Sequence, residues 1–326
     1  MTEASNGRRN SESVANTVFG GLLYNLVRSM LAVFPMQQAC RGRPRIVNNI
    51  ATRKAKMPEL PEVEITRRGL AAHLPGRLVS AIVVRETRLR QPVPPDFAAR
   101  LTGDTLIRID RRGKYLLLRF AGGTVLAHLG MSGNLRLLPA DAPVRKHDHI
   151  DIVFGEVTMR FSDPRRFGLM LWLDGDGAAH PLLASLGVEP LGDSFTPEWL
   201  HRVTRDRRCA IKLMLMDSRA VVGVGNIYAS ESLFRAGIRP RTAARRLTRM
   251  QCALLVHAVR QTLTDALAAG GSTLRDFFSA EGHPGYFQQQ YFVYDRAGAP
   301  CRVCGSPIRG LRLGQRSTYY CPICQK

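Results

Sequence analysis

A chain of 326 residues with 45% hydrophobic and 22% charged side chains is long enough to bury a core and is not disordered as a whole. Its formal net charge of +21 favours a polyanionic partner, nucleic acid ahead of a membrane surface, although high arginine usage alone also makes a protein basic. It contains no run of about 18 apolar residues, so the sequence predicts no membrane-spanning helix.

The first 56 residues differ from the rest of the chain. They carry nine Lys or Arg and two acids, and their apolar stretch is interrupted by Asn25 and Arg28. This pattern is typical of neither a signal peptide nor a stable domain. We expect an extension that is disordered or not part of the functional protein.

The segment Met57-Pro58-Glu59 has the form of a second start site. Initiation at Met57 and removal of that residue would leave Pro58 as a free secondary amine, whereas inside a chain its nitrogen is an unreactive amide. An amine beside a carboxyl group can form an iminium ion and move protons around it. The alternative is a proline-rich entry to a helix over 61–74, with Pro61 in the first turn.

Residues 76–174 show a β pattern, in which short apolar runs are separated by turn residues. Gly122-Gly123 and Gly155-Glu156 stand at predicted hairpin turns. We expect a sheet-rich sandwich here.

Two loops in this part carry apolar residues on turns rather than in a strand pattern. They are Met131 in HLGMSG (128–133) and Phe167 in SDPRRFG (162–168). One explanation is that both side chains fold back on the core. In a nucleic-acid-binding protein, however, exposed Met, Arg and Phe are residue types that wedge between base steps, and we favour that function.

Residues 195–270 change to helical spacing. One predicted helix opens on Thr196 and Pro197, a second ends on Gly237, and a third ends on the glycine pair 270–271.

A glycine-rich turn precedes the second of these helices. Gly223 and Gly225 come before Asn226, which is predicted as the helix N-cap. Beside Arg207, Arg208 and Lys212, the backbone N–H groups of this turn would suit a DNA phosphate. An ordinary helix cap at Asn226 is the alternative.

The last 26 residues hold two Cys-x-x-Cys pairs separated by 16 residues. This spacing is typical of a four-thiolate zinc site, and the intervening residues suit a β-hairpin, so a zinc ribbon is predicted. A disulfide pair or a redox-active pair is the alternative. The expected ligands are Cys301, Cys304, Cys321 and Cys324.

Eight segments together resemble the bacterial formamidopyrimidine-DNA glycosylase family, over residues 57–326. They are PELPEVE (58–64), RRGKYLLL (111–118), HLGMSG (128–133), KHDHID (146–151), SDPRRFG (162–168), VVGVGNIYASE (221–231), GHPGYF (282–287) and the four-cysteine ribbon.

The resemblance implies a bifunctional DNA glycosylase and abasic-site lyase that removes oxidised purines such as 8-oxoguanine and formamidopyrimidines. Pro58 would attack C1′ of the extruded nucleoside and form a Schiff base, with Glu59 as the proton donor in base release. The strand is then cut by β-elimination followed by δ-elimination. Lys114 matches the family's proton donor in β-elimination, and Arg316 matches the arginine assigned to δ-elimination.

The resemblance also implies residues that contact DNA. Lys212 is predicted as a further DNA contact, because it stands near the glycine-rich turn in the sequence. Met131, Arg165 and Phe167 match the trio that enters the duplex after the lesion is extruded, and residues 281–287 match the loop that closes over the damaged base. The remaining predicted contacts are His128, His147, Arg207 and Asn226.

The implied fold is α+β and multidomain. After the extension 1–56 come a catalytic β-sandwich with flanking helices (57–190), a helix-two-turns-helix DNA-binding domain with the lesion loop (191–290) and a β-hairpin zinc ribbon (291–326). One structural zinc ion is the expected cofactor. The expected partner is double-stranded damaged DNA, with no membrane, and the expected form is a monomer in the bacterial cytoplasm, associated with the nucleoid.

Two alternative functions remain. Endonuclease VIII-like enzymes share this architecture but act mainly on oxidised pyrimidines, and Leu60 and the GHPGYF segment favour the first family. The other alternative is a non-catalytic zinc-ribbon DNA-binding protein. It applies if residues 1–56 are retained, because the nitrogen of Pro58 would then be blocked as an amide. An upstream start is our favoured explanation of residues 1–56, ahead of proteolytic processing or a targeting function.

Overall fold

The computed structural model describes residues 57–270 and 291–326. The predictions for residues 1–56 and for the loop at 281–287 lie outside this part of the chain. None of the helices within the described ranges is long and apolar enough to cross a membrane.

The described chain opens on helix α1 (Leu60–Ala71), which begins one residue before the range 61–74 predicted from the sequence and ends three residues before its end. Pro61 lies in the first turn, where its missing N–H costs nothing. The Glu62 Oε2 atom accepts a hydrogen bond from the backbone N–H of Glu59 at 2.9 Å. This contact fixes the backbone just before the helix, next to Pro58.

Two antiparallel four-stranded sheets follow, with strand orders β1-β6-β7-β5 and β2-β3-β4-β8. Leu118 and Val125 of one sheet and Ile152 and Phe161 of the other share one core with Leu70 of α1. The predicted sandwich is confirmed. The strands are β1 (Ala81–Val84), β2 (Leu106–Arg112), β3 (Tyr115–Phe120), β4 (Gly123–His128), β5 (Asn134–Pro139), β6 (Asp148–Phe154), β7 (Val157–Ser162) and β8 (Leu169–Asp174).

Both predicted hairpin turns are present. The β3–β4 turn contains Gly122, and the β6–β7 turn contains Gly155, whose φ of +68° lies in the left-handed region that favours glycine. The short helix α2 (Phe97–Leu101) flanks the sandwich.

A helical region follows the sheets and has its own apolar core, which includes Phe195, Leu200, Ile211, Tyr228 and Leu255. Its helices are α4 (Pro197–Thr204), α5 (Ile211–Leu215), α6 (Asn226–Arg235) and α7 (Arg249–Ala268), whereas the short helix α3 (Pro181–Ala184) packs on the sandwich through Leu183.

The helix boundaries follow the sequence signals with one correction. The Thr196 hydroxyl caps α4 by accepting from the Trp199 N–H at 3.1 Å, and Gly237 follows α6 with a φ of +68°. The N-cap of α6, however, is Gly225, and Asn226 is the first helical residue. The prediction of Asn226 as the N-cap is therefore wrong by one position.

The chain ends in the predicted hairpin, made of β9 (Arg309–Leu313) and β10 (Arg316–Tyr320). The segment leading to it is held against α6, because the Glu231 carboxylate accepts backbone hydrogen bonds from Phe292, Val293 and Tyr294 at 2.8 to 3.0 Å. The ribbon is thus docked on the helix that begins beside Glu59.

Candidate active site and nucleic-acid interface

The carboxylate of Glu59 lies at the N-terminus of α6, and only 2% of the residue is exposed. It accepts hydrogen bonds from the N–H groups of Gly225 at 2.7 Å and Ile227 at 2.9 Å. A helix N-terminus is a natural anion site because unpaired N–H groups point out of it. The anion held by this turn is therefore the protein's own carboxylate, and the prediction of a DNA phosphate on these N–H groups is wrong.

Gly225 is required by this close approach. A Cβ atom built on it would lie 2.6 Å from the Glu59 Oε2 atom, well inside van der Waals contact. Gly223 also contacts the start of α1, because its carbonyl accepts a hydrogen bond from the Leu60 N–H at 3.0 Å. The two glycines of the turn thus serve the packing of α1 against α6.

A second carboxylate lies behind Glu59. Glu62 accepts a hydrogen bond from the Tyr228 hydroxyl at 2.7 Å, and both residues are buried. Burial raises the pKa of Tyr228 well above its ordinary value, and the charge of Glu62 adds to that shift, so the phenol stays a hydrogen-bond donor. Nothing in the sequence indicates this contact between Glu62 and Tyr228, which are 166 positions apart.

Lys114 lies on the turn between β2 and β3 and faces these carboxylates. Burial lowers its pKa, the charges of Glu59 and Glu62 oppose that shift, and Arg316 adds to it. Burial likewise raises the pKa of Glu59, against the opposing charge of Lys114. The structure therefore brings Glu59, Lys114 and Arg316 within electrostatic reach of one another.

Lys212 is fully buried, unlike an ordinary DNA-contacting lysine. Its Nζ atom donates to the Ser317 carbonyl at 3.0 Å and to the Thr318 hydroxyl at 2.8 Å, both on β10 next to Arg316. Burial lowers its pKa to about 7. This geometry shows a link between α5 and the hairpin rather than an exposed phosphate ligand, so it does not fit the predicted DNA contact.

The two loops singled out in the sequence meet at Asp163, which has no exposed surface. Its Oδ1 atom accepts from the Ser132 hydroxyl at 2.6 Å, and its Oδ2 atom accepts from the Gly168 N–H at 2.8 Å. A Cβ on Gly130 would collide with the backbone of Phe167, so the loops are also in direct contact. Asp163 lies in the SDPRRFG segment, but nothing in the sequence indicates this role for it.

The predicted wedge side chains lie on this joined surface. Phe167 is 46% exposed, and the Arg165 guanidinium lies 4.7 Å from the centre of its ring, a cation–π distance. Met131 is partly exposed on the neighbouring loop. Exposure of Phe167 argues against its folding back on the core.

Two histidines border the site from different elements. Burial, together with the charges of Lys114 and Arg90, lowers the pKa of His128 to about 4, so the ring is neutral at pH 7. Its Nδ1 accepts from the Gly130 N–H at 2.9 Å, so the neutral ring carries its proton on Nε2 as a donor. His147 is partly exposed, and its carbonyl accepts from the Asp163 N–H at 3.0 Å.

The remaining predicted residues differ in how exposed they are. Arg207 is exposed, with its guanidinium 3.5 Å from Asp217, and Arg316 is exposed at the start of β10. Pro58 is buried. Asn226 has a buried Oδ1 atom with no hydrogen-bond partner in the described protein.

The four ribbon cysteines converge, with all of their sulfur atoms within 4.8 Å of one another. The Cys301 and Cys324 sulfurs are 3.9 Å apart, and those of Cys304 and Cys321 are 3.4 Å apart. A tetrahedral zinc ion with four thiolates at about 2.3 Å requires sulfur separations of roughly 3.8 Å. The donor set therefore fits one zinc ion, as predicted.

Three family models match the chain in the order of these structural parts. They are the formamidopyrimidine-DNA glycosylase N-terminal domain over residues 57–170, the formamidopyrimidine-DNA glycosylase H2TH domain over 186–278, and a zinc finger found in FPG and IleRS over 298–326. The formamidopyrimidine-DNA glycosylase of Bordetella petrii is 58% identical over 274 residues, which is 83% of this chain and 100% of that protein. The chain belongs to the formamidopyrimidine-DNA glycosylase family. The Aromatoleum aromaticum enzyme is also 58% identical, over 270 residues, with the same shares covered.

Solved structures of this family have the same fold. The crystal structure of the MutM (Fpg) protein from Thermus thermophilus superposes with a TM-score of 0.74 at 39% identity, covering 82% of this chain and 98% of that one. A complex of Lactococcus lactis Fpg with DNA containing an abasic site superposes with a TM-score of 0.77 at 33% identity, covering 82% and 99%. The zinc-ribbon and helix-two-turns-helix assignments are thereby confirmed.

Proposed function

We infer that this chain excises oxidised purines from duplex DNA and then cleaves the strand at the abasic site, the activity of its family. The observation that carries the proposal is the buried Glu59 carboxyl group, held by Gly225 and Ile227 next to Pro58 and within electrostatic reach of Lys114. Glycosidic cleavage needs a nucleophile at C1′ and a proton for the departing base. Pro58 and Glu59 are the proposed pair.

In the proposed reaction the nitrogen of Pro58 bonds to C1′ as the bond from C1′ to the base breaks. The bonding electrons leave with the base, which takes a proton from Glu59. Burial raises the pKa of Glu59, which keeps its proton available closer to neutral pH. The C1′–O4′ bond then breaks as the nitrogen lone pair forms the double bond to C1′, and the ring oxygen takes up the proton that the nitrogen releases, which gives the Schiff base.

Strand cleavage follows by elimination from the Schiff base. Lys114 is the proposed proton donor in β-elimination, and its lowered pKa makes the ammonium group a better acid than an ordinary lysine. Arg316 is the proposed residue for δ-elimination. Its charge acts on both Lys114 and Lys212, which supports a place beside the reacting sugar.

DNA binding is proposed to combine phosphate contacts with a wedge. Extrusion of a nucleotide costs a few kcal/mol, and the vacated stack must be filled. Met131, Arg165 and Phe167 are proposed to fill it. The proposed phosphate contacts are His128, His147, Arg207 and Asn226, while Lys212 is proposed to act through the hairpin.

The active form is proposed to begin at Pro58, because only a free secondary amine is nucleophilic. In support, the first family model starts at residue 57, and the relatives match over their full length with 83% of this chain. The proposed domains are 57–190, 191–290 and 291–326. The protein is proposed to act as a monomer on chromosomal DNA in the bacterial cytoplasm.

Borohydride trapping tests the proposal. A protein initiated at Met57 should yield a covalent adduct with a duplex containing 8-oxoguanine, and the matched Pro58→Gly variant, with a primary amine, tests the dependence on proline. The chain carrying residues 1–56 should yield none unless it is processed, which mass spectrometry of its N-terminal peptide would reveal. Absence of any adduct from the Met57-initiated protein would overturn the assignment, and faster incision at thymine glycol would favour oxidised pyrimidines as substrates.

A further inference from the structure

A dense positive surface lies where α4 meets the start of α7. Segments 197–208 and 244–249 contain seven arginines and two acids. All seven are exposed, and the guanidinium groups of five form no hydrogen bond or ion pair with any residue that the structure describes. We call this set the arginine patch. Its members are Arg202, Arg208, Arg245, Arg246 and Arg249.

Contacts between the two segments make the patch one continuous surface. The Arg205 guanidinium donates to the Leu247 carbonyl at 2.5 Å, and the Arg245 N–H donates to the Arg207 carbonyl at 3.0 Å. Desolvation lowers the pKa of His201 on α4, and the charges of Arg205 and Arg249 lower it further. Cations from both segments therefore act on the same ring.

The stability of the helices does not explain this charge. Arg249 is the first residue of α7, whose first turn contains no acid, and the one acid whose pKa its charge is seen to lower within the described residues is Glu198 on α4. A cation at the positive end of a helix dipole is unfavourable, and neighbouring like charges repel one another. An external polyanion would relieve both effects.

We propose that the arginine patch binds the phosphate backbone of the duplex beside the lesion, outside the contacts made around the extruded nucleotide. This proposal rests on the proposed function, and it commits to DNA because the patch continues into Arg207, a proposed phosphate contact. Arg208 stands four positions before Lys212, so at most roughly 14 Å of extended chain separates them. The charges of Glu59 and Arg316 in turn act on the pKa of Lys212.

A charge-neutral triple variant, Arg245→Gln, Arg246→Gln and Arg249→Gln, tests the patch. The measurement is the dissociation constant for a long lesion duplex as a function of salt concentration. Each lost phosphate contact lowers the slope of log affinity against log salt by about 0.9, so a decrease of about 2 to 3 is expected. The control of equal charge is Arg77→Gln, Arg100→Gln and Arg108→Gln, three exposed arginines near or in the β-sandwich that, unlike the patch, are already paired with the His73 carbonyl, Asp96 and Asp110.

Duplex trimming separates direct contact from a general loss of structure. If the patch binds flanking DNA, trimming the duplex on one side should weaken DNA binding by the unaltered protein. Its dissociation constant for the trimmed duplex should then equal that of the triple variant. The proposal would be overturned if the triple variant kept the salt slope of the unaltered protein, or if the control variant showed an equal decrease in slope. An unchanged slope is the result expected if the patch binds an acidic protein instead of DNA. Adduct formation by the unaltered protein, measured alongside, shows separately whether the proposed function holds.

Discussion

The Ser132 hydroxyl donates to the Asp163 carboxylate at 2.6 Å, and this hydrogen bond joins the loop of Met131 to the loop of Arg165 and Phe167. The same carboxylate also accepts from the Gly168 N–H, so one buried group holds both loops. The two loops of the proposed wedge are therefore joined in the protein without DNA, which would spare a complex the entropy of ordering them separately.

Replacement Asp163→Asn should impair excision from a stacked duplex more than cleavage at a preformed abasic site. The amide cannot accept from both loops, and an unsatisfied buried group costs about 1 to 3 kcal/mol, or roughly 5- to 160-fold in rate if the cost falls on the transition state. Single-turnover rates on the two substrates measure the difference. Ser132→Ala, which removes one hydroxyl donor, should give a smaller loss of the same kind. Equal losses on both substrates would show general damage to the fold instead.

Replacement Gly225→Ala should displace the Glu59 carboxyl group, because the added Cβ would lie 2.6 Å from its Oε2 atom. The backbone conformation of Gly225 itself is open to alanine, with a φ of −114°. A misplacement of about 1 Å can cost on the order of 100-fold in rate, and single-turnover base excision should show a loss of that size. Gly192→Ala is the matched control, since its Cβ would meet atoms only at 3.4 Å or beyond. Equal rates in the two variants would contradict the assigned role of Glu59.

Replacement Glu59→Gln should change how stability depends on pH. The pKa of Glu59 is raised in the folded state from its ordinary 4.5, so the folded chain binds more protons than the unfolded chain above that pH. Stability contributed by this group therefore falls as pH rises from 4.5 through the raised pKa. Urea unfolding across that window should show a smaller decrease for the glutamine variant, which also lacks the proton for base release. A pH dependence identical to that of the unaltered protein would refute the pKa shift.

Zinc removal should disrupt the hairpin that carries Arg316. A hairpin of this size has too small a core to fold alone, so metal binding supplies much of its folding free energy. Loss of the hairpin would leave the Lys212 ammonium group without its two acceptors on β10. Chelation should release one zinc ion per chain and abolish binding of a lesion duplex, and added zinc should restore both. Arg316→Ala is the control that keeps the metal. Retained DNA binding in the fully metal-free protein would contradict this role of the ribbon.

Local patterns along the chain were enough to predict most of the elements and the zinc ligands. Thr196 caps α4, Gly155 forms a hairpin turn, and Cys301 with its three partners forms a metal site, because each depends on residues a few positions apart or on a familiar spacing. The shift of the α6 N-cap from Asn226 to Gly225 shows the limit of such patterns, since two adjacent residues are both good caps.

Contacts between distant residues could not be predicted in this way. Glu59 meets Gly225 across 166 positions, and Lys212 meets Thr318 across 106. The glycine turn is equally suited to a phosphate and to a carboxylate, because its N–H groups recognise negative charge and not its source. Packing of α1 against α6 decides between them by burying Glu59 at that helix end, and this long-range arrangement turns a proline-rich helix entry into a candidate active site.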